Sequence, residues 1–216
     1  MVITADILNS QPEAVRKLFL HWAPYLYERV RFNMPDSRIH AMAHCERVLL
    51  HALSMGYELM PDNPRAIEAL AHAAIFHDTR RLDEYLDTGH GARGAVYYSQ
   101  YCADNADIDF DERAAYMMRY HDLDDSVGVK AIEKRWGIDS PEGRKAKLLY
   151  AIFKDADALD RWRLGSLGLD PKYLRTDAAR SRVEYARDVV AKTMDPDVLR
   201  EIDEAVRASI EAQKKS

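Results

Sequence analysis

The chain has 216 residues, 47% hydrophobic and 31% charged, and a formal net charge of −5. That length carries one large domain with a substantial core, and the acidic balance argues against a dedicated binder of nucleic-acid polymers, which would be basic. No run approaches the ~18 apolar residues of a membrane span. The N-terminus lacks a basic-then-apolar export pattern, and Cys45 and Cys102 match no zinc or disulfide spacing, so a reducing, cytoplasmic setting without membrane insertion is expected.

Helical periodicity dominates and no alternating strand pattern is found, which predicts an all-α fold. The first helix spans about Pro12 to Arg31, with Pro24 a potential break. Asp36 or Ser37 caps a second, which Gly56 stops. Asn63-Pro64, a cap followed by proline at the first helical position, opens a third that ends near His77-Asp78. Thr88 or Gly89 opens a fourth to about Asn105, and Asp109 or Asp111 a fifth ending at His121. A short amphipathic piece runs from about Val127 to Trp136, and Ser140-Pro141 opens a long helix to about Arg163. Thr176 or Asp177 caps another, and Asp195-Pro196 starts the last, which frays into Lys214-Lys215-Ser216. Gly165 to Leu174 is the clearest loop, but both its flanks are helical, so residues 1–216 are expected to form a single domain.

Residues three and four apart share a helix face. Ile67, Leu70, Ala74 and His77 line up on the third helix, with Ala71, Ile75 and Asp78 beside them. Ala114, Met117 or Met118, and His121 share a face; so do Leu148, Ile152, Asp155 and Leu159, and also Ala41, His44 and Val48. One histidine on an apolar face is ordinarily a hydrogen-bonded core residue. Four helices that each aim a His or Asp from an apolar side are a different matter, because buried charge is rare without partners. Neutral imidazoles and carboxylates are good ligands for first-row divalent metals. Two ions ~3.5–4 Å apart can clamp the oxygens of a phosphoryl group, and the pKa of a bound water falls from ~15.7 toward ~7.

The ordered set resembles the HD superfamily of metal-dependent phosphohydrolases over roughly His44 to Arg163, within a core of about residues 36–165 flanked by extra N- and C-terminal helices. The matching pieces are His44 in His-Cys-Glu-Arg-Val, the doublet in Phe-His77-Asp78-Thr-Arg-Arg81, and Asp155 in Lys154-Asp155-Ala-Asp157-Ala-Leu-Asp160. A second doublet, His121-Asp122, competes, but only the first has the apolar helix before it, His44 upstream and Asp-Ala-Asp downstream. His90-Gly-Ala-Arg-Gly94-Ala95 and Arg119-Tyr120-His121 are similar to the second-metal elements of two-metal members. The resemblance implies a helical bundle in which His44, His77, Asp78 and Asp155 hold one divalent ion and Asp78, His90 and His121 the other, with Asp78 as the bridge. The metal would be Mn, Fe, Co, Ni, Zn or Mg. Gly-Tyr-Pro, an element of the cyclic-dinucleotide phosphodiesterases, does not follow His121, and Tyr120 replaces a neighbouring histidine, which argues against that substrate.

Beyond the metal ligands, the resemblance implies that Arg81 faces the substrate phosphate, which arginine grips bidentately. Lys154, Arg161 and Arg163 form either a basic rim or a plain charged helix face, Asp157 is read as outer-shell or capping, and Asp160 as an ion-pair partner of Lys154 or Arg163. His40 is placed near the mouth of the site or in a structural role, and His21, His51 and His72 are structural. Tyr97, Tyr98 and Tyr101 are read as packing. The expected activity is hydrolysis of a small phosphomonoester or phosphodiester, with a nucleotide among the candidates, by a metal-activated hydroxide; Asp78 and Arg81 are the catalytic pair and Arg81 and Lys154 the substrate contacts. The same fold and ligand set also serve di-iron oxygenases, and a non-catalytic regulatory module is the third reading. The amphipathic terminal helices suit either capping of the core or a homodimer.

Overall fold

Side-chain caps visible in the sequence set several helix starts. The side chains of Asn63, Asp111, Ser140 and Thr176 accept from the backbone N–H of Ala66, Arg113, Gly143 and Ala179. In the computed structural model, which describes residues 1–213, the helices are α1 (Ala5–Asn9), α2 (Glu13–Arg29), α3 (Met42–Leu59), α4 (Pro64–Phe76), α5 (His90–Asp104), α6 (Glu112–Tyr120), α7 (Asp125–Trp136), α8 (Pro141–Leu159), α9 (Asp177–Arg180), α10 (Val183–Thr193) and α11 (Pro196–Gln213). Two 3₁₀ turns, Asp160–Leu164 and Pro171–Tyr173, complete the set, and no strand occurs among the described residues. The all-α fold with additional terminal helices is therefore present. No described helix is long and apolar enough to cross a membrane.

Helices α3 and α4 form the centre. Every residue of α3 from His44 to Gly56 is buried, as are nearly all of α4 from Ala66 to Phe76. Helices α2, α6 and α8 pack around them, and Phe19, Leu26, Leu49, Leu53, Leu70, Phe76, Met118 and Phe153 belong to one continuous core. A smaller apolar cluster of Val190, Met194 and Val198 seats α10 and α11 against Trp162.

Several expected boundaries moved, each for a packing reason. Gly56 does not stop its helix: α3 continues to Leu59, and a Cβ at Gly56 would lie 2.7 Å from Leu70 Cδ1. The glycine is there so that α4 can approach closely. Ser37 does not cap α3, which begins at Met42; its Oγ accepts from the N–H groups of Ile39 (3.3 Å) and His40 (2.8 Å), closing a turn that delivers His40 to the site. Helix α2 runs through Pro24, a local cost of about 3 kcal/mol outweighed by its buried Phe19, Trp22, Ala23 and Leu26. The expected helix to Arg163 is α8 to Leu159 followed by the Asp160–Leu164 turn. Lys214-Lys215-Ser216, expected to fray, lie outside the described residues.

Candidate metal centre

The apolar run of α4 ends by presenting its last turn to the centre of the bundle. His77 is the C-cap, and its N–H donates to Ala73 O, while Thr79 Oγ1 donates to Phe76 O (2.7 Å) and closes the helix end. Helix α5 crosses this end in backbone contact, because a Cβ at Gly94 would lie 2.6 Å from His77 O. Gly94 thus explains the spacing of the His90–Ala95 motif: it lets α5 sit close enough for His90, four residues earlier, to reach Asp78. Gly89, with φ +89°, precedes α5, and its N–H donates to Asp122 Oδ2 (2.5 Å), tying the helix start to the residue after His121.

The imidazoles are oriented from behind. Nδ1 of His77, His90 and His121 lies 2.9, 2.6 and 2.7 Å from the carbonyl oxygens of Ala74, Asp87 and Met118. His44 Nδ1 lies 2.7 Å from Asp160 Oδ2. All four partners are acceptors, so each Nδ1 carries a proton, and in the neutral ring each Nε2 is a bare lone pair. Those lone pairs converge on Asp78. Its Oδ1 stands 3.0, 3.6 and 3.9 Å from Nε2 of His90, His121 and His77, and its Oδ2 stands 3.5 Å from His44 Nε2. The Nε2 atoms of His44 and His77 are 3.1 Å apart, and those of His90 and His121 2.9 Å. Lone pairs facing one another at that separation repel unless a cation or a shared proton lies between them. A buried set of this kind is chemically suited to divalent metal ions.

The electrostatics agree. Burial drives His77 down to about 3, so it is neutral at physiological pH. Burial alone would raise Asp78, but the imidazoles of His77, His121, His40 and His90 outweigh it and hold the carboxyl well below its ordinary value. Asp157 is depressed likewise, with His44, His77 and Arg163 overcoming its burial. His121 shifts upward because Asp78 overcomes the opposing effect of burial.

Two groups of ligand atoms result, each within a 4.8 Å span: His44, His77 and Asp157, and His77, Asp78 and His121. Both are capable of coordinating a metal ion. His90 adjoins the second through Asp78 and His121. Asp78 turns one oxygen toward each side, whereas His77, expected as a terminal ligand of one ion, belongs to both groups.

Asp155 is not part of this constellation. It is fully buried, but its Oδ1 and Oδ2 accept from the backbone N–H of Arg175 and Thr176, from Arg175 Nη1 and from Thr176 Oγ1. It secures the segment before α9. Asp157, expected in the outer shell, stands there instead, with Oδ1 3.4 Å from His44 Nε2. Helical periodicity selects the more buried aspartate, and a ligand that opens onto a cavity is the less buried one: the Asp157 side chain is 27% exposed. Lys154 is also engaged elsewhere, donating to Leu123 O (2.7 Å) and pairing with Asp125 (2.6 Å).

The remaining expectations divide. Asp160 pairs with Arg47 (2.5 Å), with His44 and, as expected, with Arg163 (Nη1 at 3.6 Å), not with Lys154. Arg47 is a partner that the periodicity of α3 did not single out. His40 lines the cavity, with Nδ1 3.2 Å from Asp78 Oδ2. His72 lies against Tyr98 OH (2.8 Å), and His51 is buried with neither ring nitrogen hydrogen-bonded. Tyr97, Tyr98 and Tyr101 pack on Phe76.

A cavity of about 350 Å³ opens over the Asp78 side of the cluster. Asp78, His90, His121 and Asp157 form its floor, and Arg81, Arg161 and Arg163 stand in its walls. Arg81 is largely committed: Nη2 donates to Tyr85 O (2.6 Å), Nε to Asp83 O (3.4 Å), and Nη1 is 3.3 Å from both ring nitrogens of His90. No family model, curated protein or solved structure matches the chain.

Proposed function

We propose that the chain is a metal-dependent phosphohydrolase of the HD type, acting on a small phosphomonoester or phosphodiester. The observation that carries this reading is the convergence of four Nδ1-protonated histidines, by their bare Nε2 atoms, on one buried aspartate beneath an arginine-walled cavity. When bound, divalent ions supply Lewis acidity and a water acidic enough to lose its proton near neutral pH. The protein's part is placement. Asp78 offers one oxygen to each ligand group, His44 and Asp157 complete one side, and His90 and His121 complete the other. The arginines in the walls attract the phosphoryl anion to the ligand floor, and Arg81 also ties the segment after Asp78 to His90.

The test is a phosphate-release screen on p-nitrophenyl phosphate, bis-p-nitrophenyl phosphate and nucleotides, run with manganese, cobalt, iron or nickel. His77→Ala is expected to remove metal binding and phosphate release together. A His77→Ala protein that keeps both takes the doublet out of the site.

Four histidines and two aspartates, whether the sixth donor is Asp155 or Asp157, are equally the ligand set of a di-iron oxygenase of this fold, so the products of turnover separate the two readings. Iron-loaded protein that consumes oxygen on turnover and releases no phosphate would select that chemistry.

A further inference from the structure

We propose that Arg163, not Arg81, is the anion anchor of the cavity. This rests on the phosphohydrolase reading and adds to it a specific contact with the phosphoryl group.

Arg163 projects from the 3₁₀ turn that follows α8, three residues after Asp160. It is 4% exposed and lines the cavity. Nε donates to Ile39 O (2.6 Å) and Nη2 is 3.4 Å from His40 Nδ1, so the guanidinium plane is held from two sides. Nη1 makes no hydrogen bond although it is buried. The nearest carboxylate oxygen, Asp160 Oδ2 at 3.6 Å, is already occupied by His44 Nδ1 (2.7 Å) and Arg47 Nη2 (3.2 Å). A buried guanidinium nitrogen without an acceptor is costly, and a phosphoryl oxygen in the adjoining cavity would satisfy it. Arginine is suited to this because its rigid fork matches phosphate geometry. Arg81 has less freedom, since Nη2 and Nε already serve Tyr85 and Asp83 and Nη1 lies against His90.

The experiment is calorimetric titration of the metal-loaded full chain with inorganic phosphate, alongside elemental analysis of each variant. Arg163→Met is expected to weaken phosphate binding roughly tenfold to a hundredfold, the loss of a charge-assisted hydrogen bond, with metal content unchanged. Arg163→Lys, which keeps the charge and the fold but not the fork, is expected to fall between Met and the parent and serves if Arg163→Met does not fold. Arg81→Met is expected to weaken phosphate by less than Arg163→Met. Parental phosphate affinity in Arg163→Met, or in Arg163→Lys if only that variant folds, overturns the anchor. That result leaves the metal content intact, which separates it from failure of the phosphohydrolase reading, where the parent itself binds no metal or releases no phosphate.

Discussion

The two sides of the metal centre are built from the same ligand types but braced differently. On one side His44 leans on Asp160, a carboxylate that also holds the buried Arg47 and stands near Arg163. On the other, His90 and His121 lean on the backbone carbonyls of Asp87 and Met118. A carboxylate behind an imidazole raises its basicity and fixes its ring, but that brace can be removed by one substitution and depends on its own ionisation. A carbonyl brace is backbone, at Met118 in the last turn of α6 and at Asp87 in the loop before α5, and no single substitution removes its oxygen. The first side is therefore the one that a substitution away from the ligands breaks most directly.

Removing Asp160 should break the comparison most severely. Asp160→Ala leaves Arg47 buried and uncompensated, and urea unfolding is expected to show a loss of about 3–5 kcal/mol. The milder Asp160→Asn should fold and lose about 10–100-fold in metal affinity on the His44 side only. Equal weakening of both sides would deny that the braces differ.

Acid tests the same scaffold. His51 and His72 are held by burial at about 4, below the ordinary value near 6.5. Their lowered values mean that the unfolded chain binds the extra protons, so stability is full above pH ~6.5 and falls as the pH drops toward ~4. For His51 alone the loss by pH 4 is on the order of 2–3 kcal/mol. His51→Leu, which removes a ring with no polar partner, should flatten that part of the urea-midpoint profile. An unchanged slope would mean that His51 does not titrate there.

The smaller effects separate neighbouring residues. Asp155→Ala should cost about 1–3 kcal/mol, the price of leaving buried N–H groups of Arg175 and Thr176 unsatisfied, with metal binding kept. Asp157→Ala should do the reverse, holding stability within about 1 kcal/mol and losing the ion of the His44 side. The opposite pattern would restore Asp155 as the ligand.

That pair also shows how far the sequence reaches. The caps at Asn63, Asp111, Ser140 and Thr176 and the all-helical periodicity were legible because capping and face spacing are local, whereas the grouping of His44, His77, Asp78, His90 and His121 came from the resemblance of the ordered motifs. The choice between Asp155 and Asp157 was not. Both lie on α8, and what separates them is the Arg175-Thr176 segment twenty residues later, which claims one and leaves the other to the cavity. Gly56 misled for a similar reason, since only the position of Leu70 on α4 shows that it serves a close contact. Arg163 stood in the expected basic rim, but its unpartnered nitrogen depends on Ile39 and His40, far away in the chain.

Equilibrium titration of metal-free protein with cobalt(II), read by absorbance and by elemental analysis after desalting, tests the central claim most directly. The account predicts two ions per chain, one ion for Asp157→Ala, and none retained by Asp78→Ala, because Asp78 faces both ligand groups. Parental protein that binds no cobalt, or Asp78→Ala protein that binds as the parent does, would contradict it.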